Sequence, residues 1–189
     1  YGFRYSAEDQ GGEMKQGLVQ VYTGDGKGKT TAAAGLAMRA AGRGLSVTLI
    51  QFLKCDSSGE IMFIEKRIPE IRLMRYNSQK KFIWNMNEQE RELMKQETLD
   101  GMKAASSISS GGGCDILILD EIFGALKNGF ISTDDILELI NKKSPEVELV
   151  LTGRDAPESV INAADLVTEM RNIRHPFDSD IIARDGIER

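Results

Sequence analysis

The chain has 189 residues, 41% of them hydrophobic and 28% charged, which is the size of one domain with enough apolar material for a sizeable core. Its 24 basic and 29 acidic residues leave a net charge of −5, which argues against a nucleic-acid or other general polyanion binder, so any anion must be bound locally. Cys55 and Cys114 stand far apart with no C-x-x-C pair, against a disulfide framework or a zinc site and for free thiols; no eighteen-residue apolar run and no apolar signal-peptide core is present, which predicts a soluble, cytoplasmic protein without a membrane segment.

Residues 1–16 are polar, contain Gly11-Gly12, and have only Phe3 and Tyr5 as large apolar groups, so they read as an arm outside a single domain spanning 17–189. Apolar runs of strand length follow at 18–22, 46–53, 71–76, 115–119, 147–151 and 166–170. Most are continuous rather than alternating, as in strands buried on both faces. Helical patterns fall between them. Residues 31–41 carry Ala32, Ala33, Ala34, Ala37, Ala40 and Ala41, small enough for close approach to a sheet, with Gly42 and Gly44 as stops. Residues 87–105 set Leu93, Met94 and Met102 among charges, as on a surface helix with one buried face. The polar run 106–113 is expected to be a loop, and Thr133-Asp134-Asp135 signals a helix start before Ile136, Leu137, Leu139 and Ile140. The alternation predicts an α/β fold of three layers, a mostly parallel central sheet between helices.

The stretch from Val19 to Thr31 runs from an apolar strand into the alanine-rich helix. The general phosphate loop is G-x-x-x-x-G-K-[ST], in which loop N–H groups and a lysine meet phosphate oxygens and a hydroxyl helps hold Mg2+. Gly28, Lys29 and Thr30 match its end, while Thr23 stands where the first glycine is expected. Gly24 and Gly26 supply flexibility and Lys27 a second cation, so residues Thr23, Gly24, Asp25, Gly26, Lys27, Gly28, Lys29, Thr30 and Thr31 form the candidate nucleotide site. The alternative for the loop is a glycine turn with two solvated lysines.

A later strand, Asp115-Ile-Leu-Ile-Leu-Asp120-Glu121, ends in two carboxylates at the edge where ligands bind in open α/β sheets. Magnesium takes few protein oxygens, so Thr30 with Asp120 or Glu121 suffices to hold it. Leu151-Thr152-Gly153-Arg154 brings a forked guanidinium to the same edge, suited to phosphate, although a surface arginine after a tight turn reads equally well from the residues alone.

The segments TGDGKGKTTAAAGLAMRAAGRG, IQFLK, ILILDE, LTGRDAP and RHPFD together resemble the P-loop-type corrinoid adenosyltransferases, over roughly residues 18–189. In that family the loop reads T-G-[ND]-G-K-G-K-[ST]-T, so Thr23 is its ordinary residue. The resemblance implies transfer of the 5′-deoxyadenosyl group of ATP to the cobalt of a Co(I) corrinoid, whether cobalamin, cobinamide or cobyrinic acid diamide, with release of triphosphate. ATP is then bound with its phosphates reversed relative to ordinary P-loop enzymes, and Lys29 acts in catalysis by neutralising the leaving triphosphate. It also implies a homodimer whose arm helps close the partner's site, and a reductase as electron donor. Phe82-Ile83-Trp84 matches the family's F-x-W; in extended chain both rings point to one side, where they would cover the lower face of the corrin and favour reduction of cobalt. Without the resemblance, aromatics at this spacing read as ordinary core packing. His175, the single histidine, lies in the family's RHPFD segment but is not needed by this chemistry. Cys55 after QFLK, where the family commonly has glycine, and the terminal arginine, where it often has tyrosine, depart from the pattern.

Two other readings stand beside this one. An ordinary P-loop ATPase or small-molecule kinase would use Glu121 or another base and release ADP. A non-catalytic nucleotide-dependent binding protein would hold ATP or a corrinoid without turnover.

Overall fold

A computed structural model describes residues 16–54, 58–78, 81, 83–174, 183–184 and 186–187. Six strands, β1 (Val19–Thr23), β2 (Val47–Phe52), β3 (Ile71–Tyr76), β4 (Ile116–Asp120), β5 (Glu148–Thr152) and β6 (Leu166–Glu169), form one sheet in the order β3-β2-β4-β5-β1-β6. Every pairing is parallel, so all six strands end at the same edge. The helices are α1 (Lys29–Ala41), α2 (Gly59–Arg67), α3 (Glu88–Ser110), α4 (Ile122–Lys127), α5 (Thr133–Lys142) and α6 (Glu158–Ala163).

Burial on both faces explains the continuous apolar runs of the central strands: every residue of β2, β4 and β5 is buried. Their side chains alternate between two cores. Val21, Ile50, Phe52, Leu117, Leu119, Leu149 and Leu151 face one side, where Met102, Ile122, Phe123, Ile136 and Val160 from α3 to α6 cover them. Leu49, Ile116, Ile118 and Val150 face the other, against the alanines of α1 and against Ile61 and Ile64 of α2. Each fully buried leucine or isoleucine contributes about 2 kcal/mol. The edge strand β6 is exposed along its length.

The strand order determines where α1 lies. Because β5 and β4 separate β1 from β2, the connection between those strands must cross the sheet, and α1 packs on β4, β2 and β5. Ala33, Ala34, Ala37 and Ala40 are the residues it buries, and their small size lets the helix backbone come close. Its first turn thereby reaches the end of β4.

Two expectations about helix ends are corrected. The run 106–113 is not all loop: α3 continues to Ser110, because Ser110 Oγ donates to the Ser106 carbonyl at 2.7 Å while Ala105 and Ser109 are buried, and only the glycines at 111–113 turn the chain. At α5 the N-cap is Ser132, one residue before the expected signal, with a reciprocal capping box to Asp135. Cys114 is a buried free thiol, whereas Cys55 and residues 1–15 of the expected arm lie outside the described residues. Among the described residues no helix is long and apolar enough to cross a membrane.

Gly101 marks the closest approach of α3 to the sheet. A Cβ there would stand 2.7 Å from Phe52 Cε1 and 3.0 Å from the Tyr76 ring. Alanine would gain about 1 kcal/mol of helix propensity, but overpacking costs roughly 1–3 kcal/mol. Gly101→Ala is therefore expected to destabilise the fold by about 1 kcal/mol, seen as a lower urea midpoint at unchanged slope. An equal or higher midpoint would show that the rings move aside freely.

Candidate active site

The glycine-rich loop leaves β1 at Thr23 and enters α1 at Lys29. Gly24 (φ 95°) and Gly28 (φ 121°) take positive φ, which side-chain-bearing residues rarely adopt. The glycines serve a second purpose. A Cβ on Gly24 or Gly26 would lie 2.4 or 2.7 Å from the Met170 carbonyl oxygen, so the chain leaving β6 runs directly against the loop backbone. Gly26 N–H donates to that carbonyl at 2.6 Å. Thr23, at the position of the missing first glycine, is buried, and its hydroxyl accepts from Ala156 N–H at 3.2 Å, tying the base of the loop to the turn after β5.

Lys29 folds back over the loop, donating to the carbonyls of Gly24 at 2.5 Å and Gly26 at 2.7 Å. Burial holds its pKa below the usual lysine range, and the nearby Arg154 lowers it further against the pull of Glu121, Asp25 and Asp120. Lys27 and Asp25 are exposed, and Lys27 Nζ donates to the Ile187 carbonyl. Thr31 and Lys27, with Ser58, Gly59 and Glu60 of the α2 start and Gly186-Ile187, line a cleft of about 280 Å3 beside the loop.

Asp120 is wholly buried at the end of β4 and organises the other side of the site. Oδ1 accepts from Thr30 Oγ1 at 3.0 Å and from Thr152 Oγ1 at 2.7 Å. Oδ2 accepts from Gln51 Nε2 at 3.0 Å and from Lys54 Nζ at 2.8 Å. Burial alone would raise its pKa, but Lys54 and these hydrogen bonds outweigh it and hold the carboxyl below the usual range. Thr152 Oγ1 also accepts from Glu121 N–H at 3.0 Å, which joins β4 to β5 at their ends.

Glu121 responds in the opposite direction: burial first, then repulsion from Asp120, raises its pKa, although Lys54, Lys29 and Arg154 oppose the shift. Its backbone is left-handed (φ 64°, ψ 27°). Gly124 makes room for its side chain, since a Cβ there would stand 3.0 Å from Glu121 Oε1. Arg154 is exposed after Gly153 (φ 144°), near enough to act electrostatically on both Lys29 and Glu121.

The fold thus gathers Thr23 to Thr31, Asp120, Glu121 and Arg154 at one edge, and adds Gln51, Lys54 and Thr152. Gln51 carried a readable signal, because an amide inside a mostly apolar, doubly buried strand requires a partner. The oxygens of Thr30, Asp120 and Glu121 suit a hard cation such as Mg2+, which keeps water and phosphate ligands of its own. Trp84 is 76% exposed, which excludes core packing for that ring. The extended chain expected around it is corrected: Ile83–Asn85 is a 3-10 turn, in which alternate residues do not share a side. Phe82, His175 and the segment 175–178 lie outside the described residues.

Two stability predictions follow from the carboxylates. Because Asp120 has a depressed pKa when folded, it stabilises the fold above the ordinary aspartate range, and that contribution disappears as pH falls through the depressed value. Asp120→Asn should cost roughly 3 kcal/mol at neutral pH and weaken acid sensitivity, as read by denaturant titration. Glu121 has the reverse linkage: its raised folded pKa means stability falls as pH rises from the ordinary glutamate range through the raised value. Glu121→Gln should melt higher than the parent at neutral pH, and a lower melting temperature would contradict this assignment.

A family model described as ATP:corrinoid adenosyltransferase BtuR/CobO/CobP matches residues 15–189. A corrinoid adenosyltransferase of Pseudomonas aeruginosa is 34% identical over 92% of this chain and 84% of its own length. One from Sinorhizobium sp is also 34% identical, over 92% of this chain and 81% of its own. The corrinoid adenosyltransferase CobA of Salmonella typhimurium is 29% identical over 93% of this chain and 87% of its own. The solved structure of the flagellar accessory protein FlaH from Methanocaldococcus jannaschii shares the fold, with a TM-score of 0.52 at 16% identity, covering 82% of this chain and 71% of that one. The chain belongs to the ATP:corrinoid adenosyltransferase family.

Proposed function

We propose that this enzyme transfers the 5′-deoxyadenosyl group of ATP to the cobalt of a Co(I) corrinoid and releases triphosphate. Family membership over nearly the whole chain carries the reading, and the glycine-rich loop supports it by carrying Lys27 and Lys29, with Arg154 near enough to act electrostatically on Lys29 and Lys54 bonded to Thr30. The cobalt supplies its own electron pair. As that pair forms the bond to the 5′ carbon, the carbon–oxygen bond breaks and its own bonding pair leaves with the triphosphate.

The chain's task at that moment is electrostatic. Lys29 exchanges the Gly24 and Gly26 carbonyls for phosphate oxygens, and the N-terminus of α1 adds partial positive charge. Mg2+ held by Thr30, Asp120 and Glu121 would neutralise further charge on the leaving group. No base is required of the protein for this step; membership of the adenosyltransferase family is what disfavours the ATPase, kinase and non-catalytic readings.

Trp84, exposed on its 3-10 turn, is assigned to the lower face of the corrin, where it excludes water and the displaced base; the role of Phe82 there rests on the F-x-W resemblance and not on a shared side. A homodimer closed by residues 1–16, a separate reductase and a cytoplasmic setting complete the proposal.

Incubation with Mg-ATP and chemically reduced corrinoid should give triphosphate and a light-sensitive alkyl-cobalt spectrum; ADP without that spectrum would overturn the assignment. Lys29→Ala should lower turnover by about a hundredfold or more. Trp84→Ala should slow the reaction starting from Co(II) much more than that from preformed Co(I), and equal losses would remove its assigned role.

A further inference from the structure

Lys54 is the least expected member of the site. It follows Leu53, whose left-handed backbone (φ 60°) turns the chain sharply at the end of β2, and its own N–H donates to the Phe52 carbonyl at 2.7 Å. That turn brings the ammonium between two elements far apart in sequence: Nζ donates to Thr30 Oγ1 at 2.6 Å and to Asp120 Oδ2 at 2.8 Å.

These contacts occupy the atoms that a divalent cation needs. A carboxylate offers about four acceptor positions, and Asp120 uses them on Thr30, Thr152, Gln51 and Lys54. The Thr30 hydroxyl spends its proton on Asp120 and accepts from Lys54, so the lone pair suited to a metal already faces a cation. Of the four donors on Asp120, Gln51 and Thr152 are buried strand residues and Thr30 belongs to the first turn of α1. Lys54 alone stands on a strand-end turn and carries charge; its side chain is 25% exposed and hangs on a flexible four-carbon stem. It is the donor that can leave.

We propose that Lys54 is a displaceable internal counter-ion, which holds the divalent-cation position until a metal arrives with triphosphate and then transfers its charge to the phosphates. The inference rests on the proposed metal role of Thr30 and Asp120. Without Lys54, a wholly buried carboxylate would lack a charged partner, a costly state that would recruit free metal ions. With it, uptake of metal becomes dependent on nucleotide, because only the incoming phosphates offer the displaced ammonium a new anionic partner.

Manganese provides a visible probe, since unbound Mn2+ can be counted by electron paramagnetic resonance. In the nucleotide-free full chain, Lys54→Met is expected to bind Mn2+ at least tenfold more tightly than the parent, with circular dichroism confirming the fold. Unchanged or weaker binding would overturn the exchange. Lys54→Arg keeps a cation that is held by a fork and does not leave readily. It should weaken Mn2+ binding in the presence of ATP several-fold, and this variant decides the question if Lys54→Met fails to fold; undiminished binding would again overturn the exchange. Should the parent retain Mn2+ only with ATP while Lys54→Met gains nothing, the metal site stands and the exchange fails. Should the parent hold no Mn2+ even with ATP, both fall.

Discussion

A charged carboxylate with no exposed surface is the constraint on which this site depends. Asp120 stays ionised because one ammonium, two hydroxyls and one amide converge on it from α1, β2, β5 and the turn after β2. Each donor must arrive at the correct height at the sheet edge, so the register of β2, β4 and β5 and the crossing of α1 are bound to one another through this group. In low dielectric such a network is strong when complete and expensive when any member is missing. The edge proposed to receive a polyanion is therefore built around a negative charge, made tolerable by the cations beside it.

Neighbouring acids at one strand end are driven apart in their protonation. Asp120 has four donors and remains charged, whereas Glu121, pointing over Gly124, pays both for burial and for its neighbour. This difference divides the pair into a carboxyl whose surroundings favour its charge and one whose surroundings oppose it. A cation of either kind, metal or lysine, favours the ionised form of Glu121, and the removal of one favours the proton.

The centre of the sheet was legible in the sequence because burial on both faces of β2, β4 and β5 forces uninterrupted apolar runs, and the outer strands also fall on apolar runs although β6 is exposed. The phosphate loop and the acids were legible because their chemistry restricts residue choice at fixed spacing. The short helices α4 and α6, six residues each, have too few turns to show a period, and α4 begins at a left-handed glutamate that no propensity would select. Lys54 was hidden for a different reason: a lysine after a strand looks solvated, and only the turn at Leu53 and the strand order bring it to Asp120. The role of Thr23 was equally invisible, since its partner is a backbone amide more than a hundred residues away.

Three residues other than glycine adopt left-handed backbone among the described residues, Leu53, Glu121 and Asp155, and all follow strand ends at the ligand-bearing edge. Glycine at any of them would relieve backbone strain of order 1 kcal/mol, so the rest of the fold must hold a surplus of stability to offset it. The sheet's interior supplies that surplus and the edge consumes it in aiming Lys54, Glu121 and the turn that bears Arg154. A search for hardier variants of this enzyme would thus be drawn towards the very turns that set its chemistry, and thermal tolerance gained there would come at the expense of the site, whereas the opposite ends of the strands offer room for improvement without that conflict.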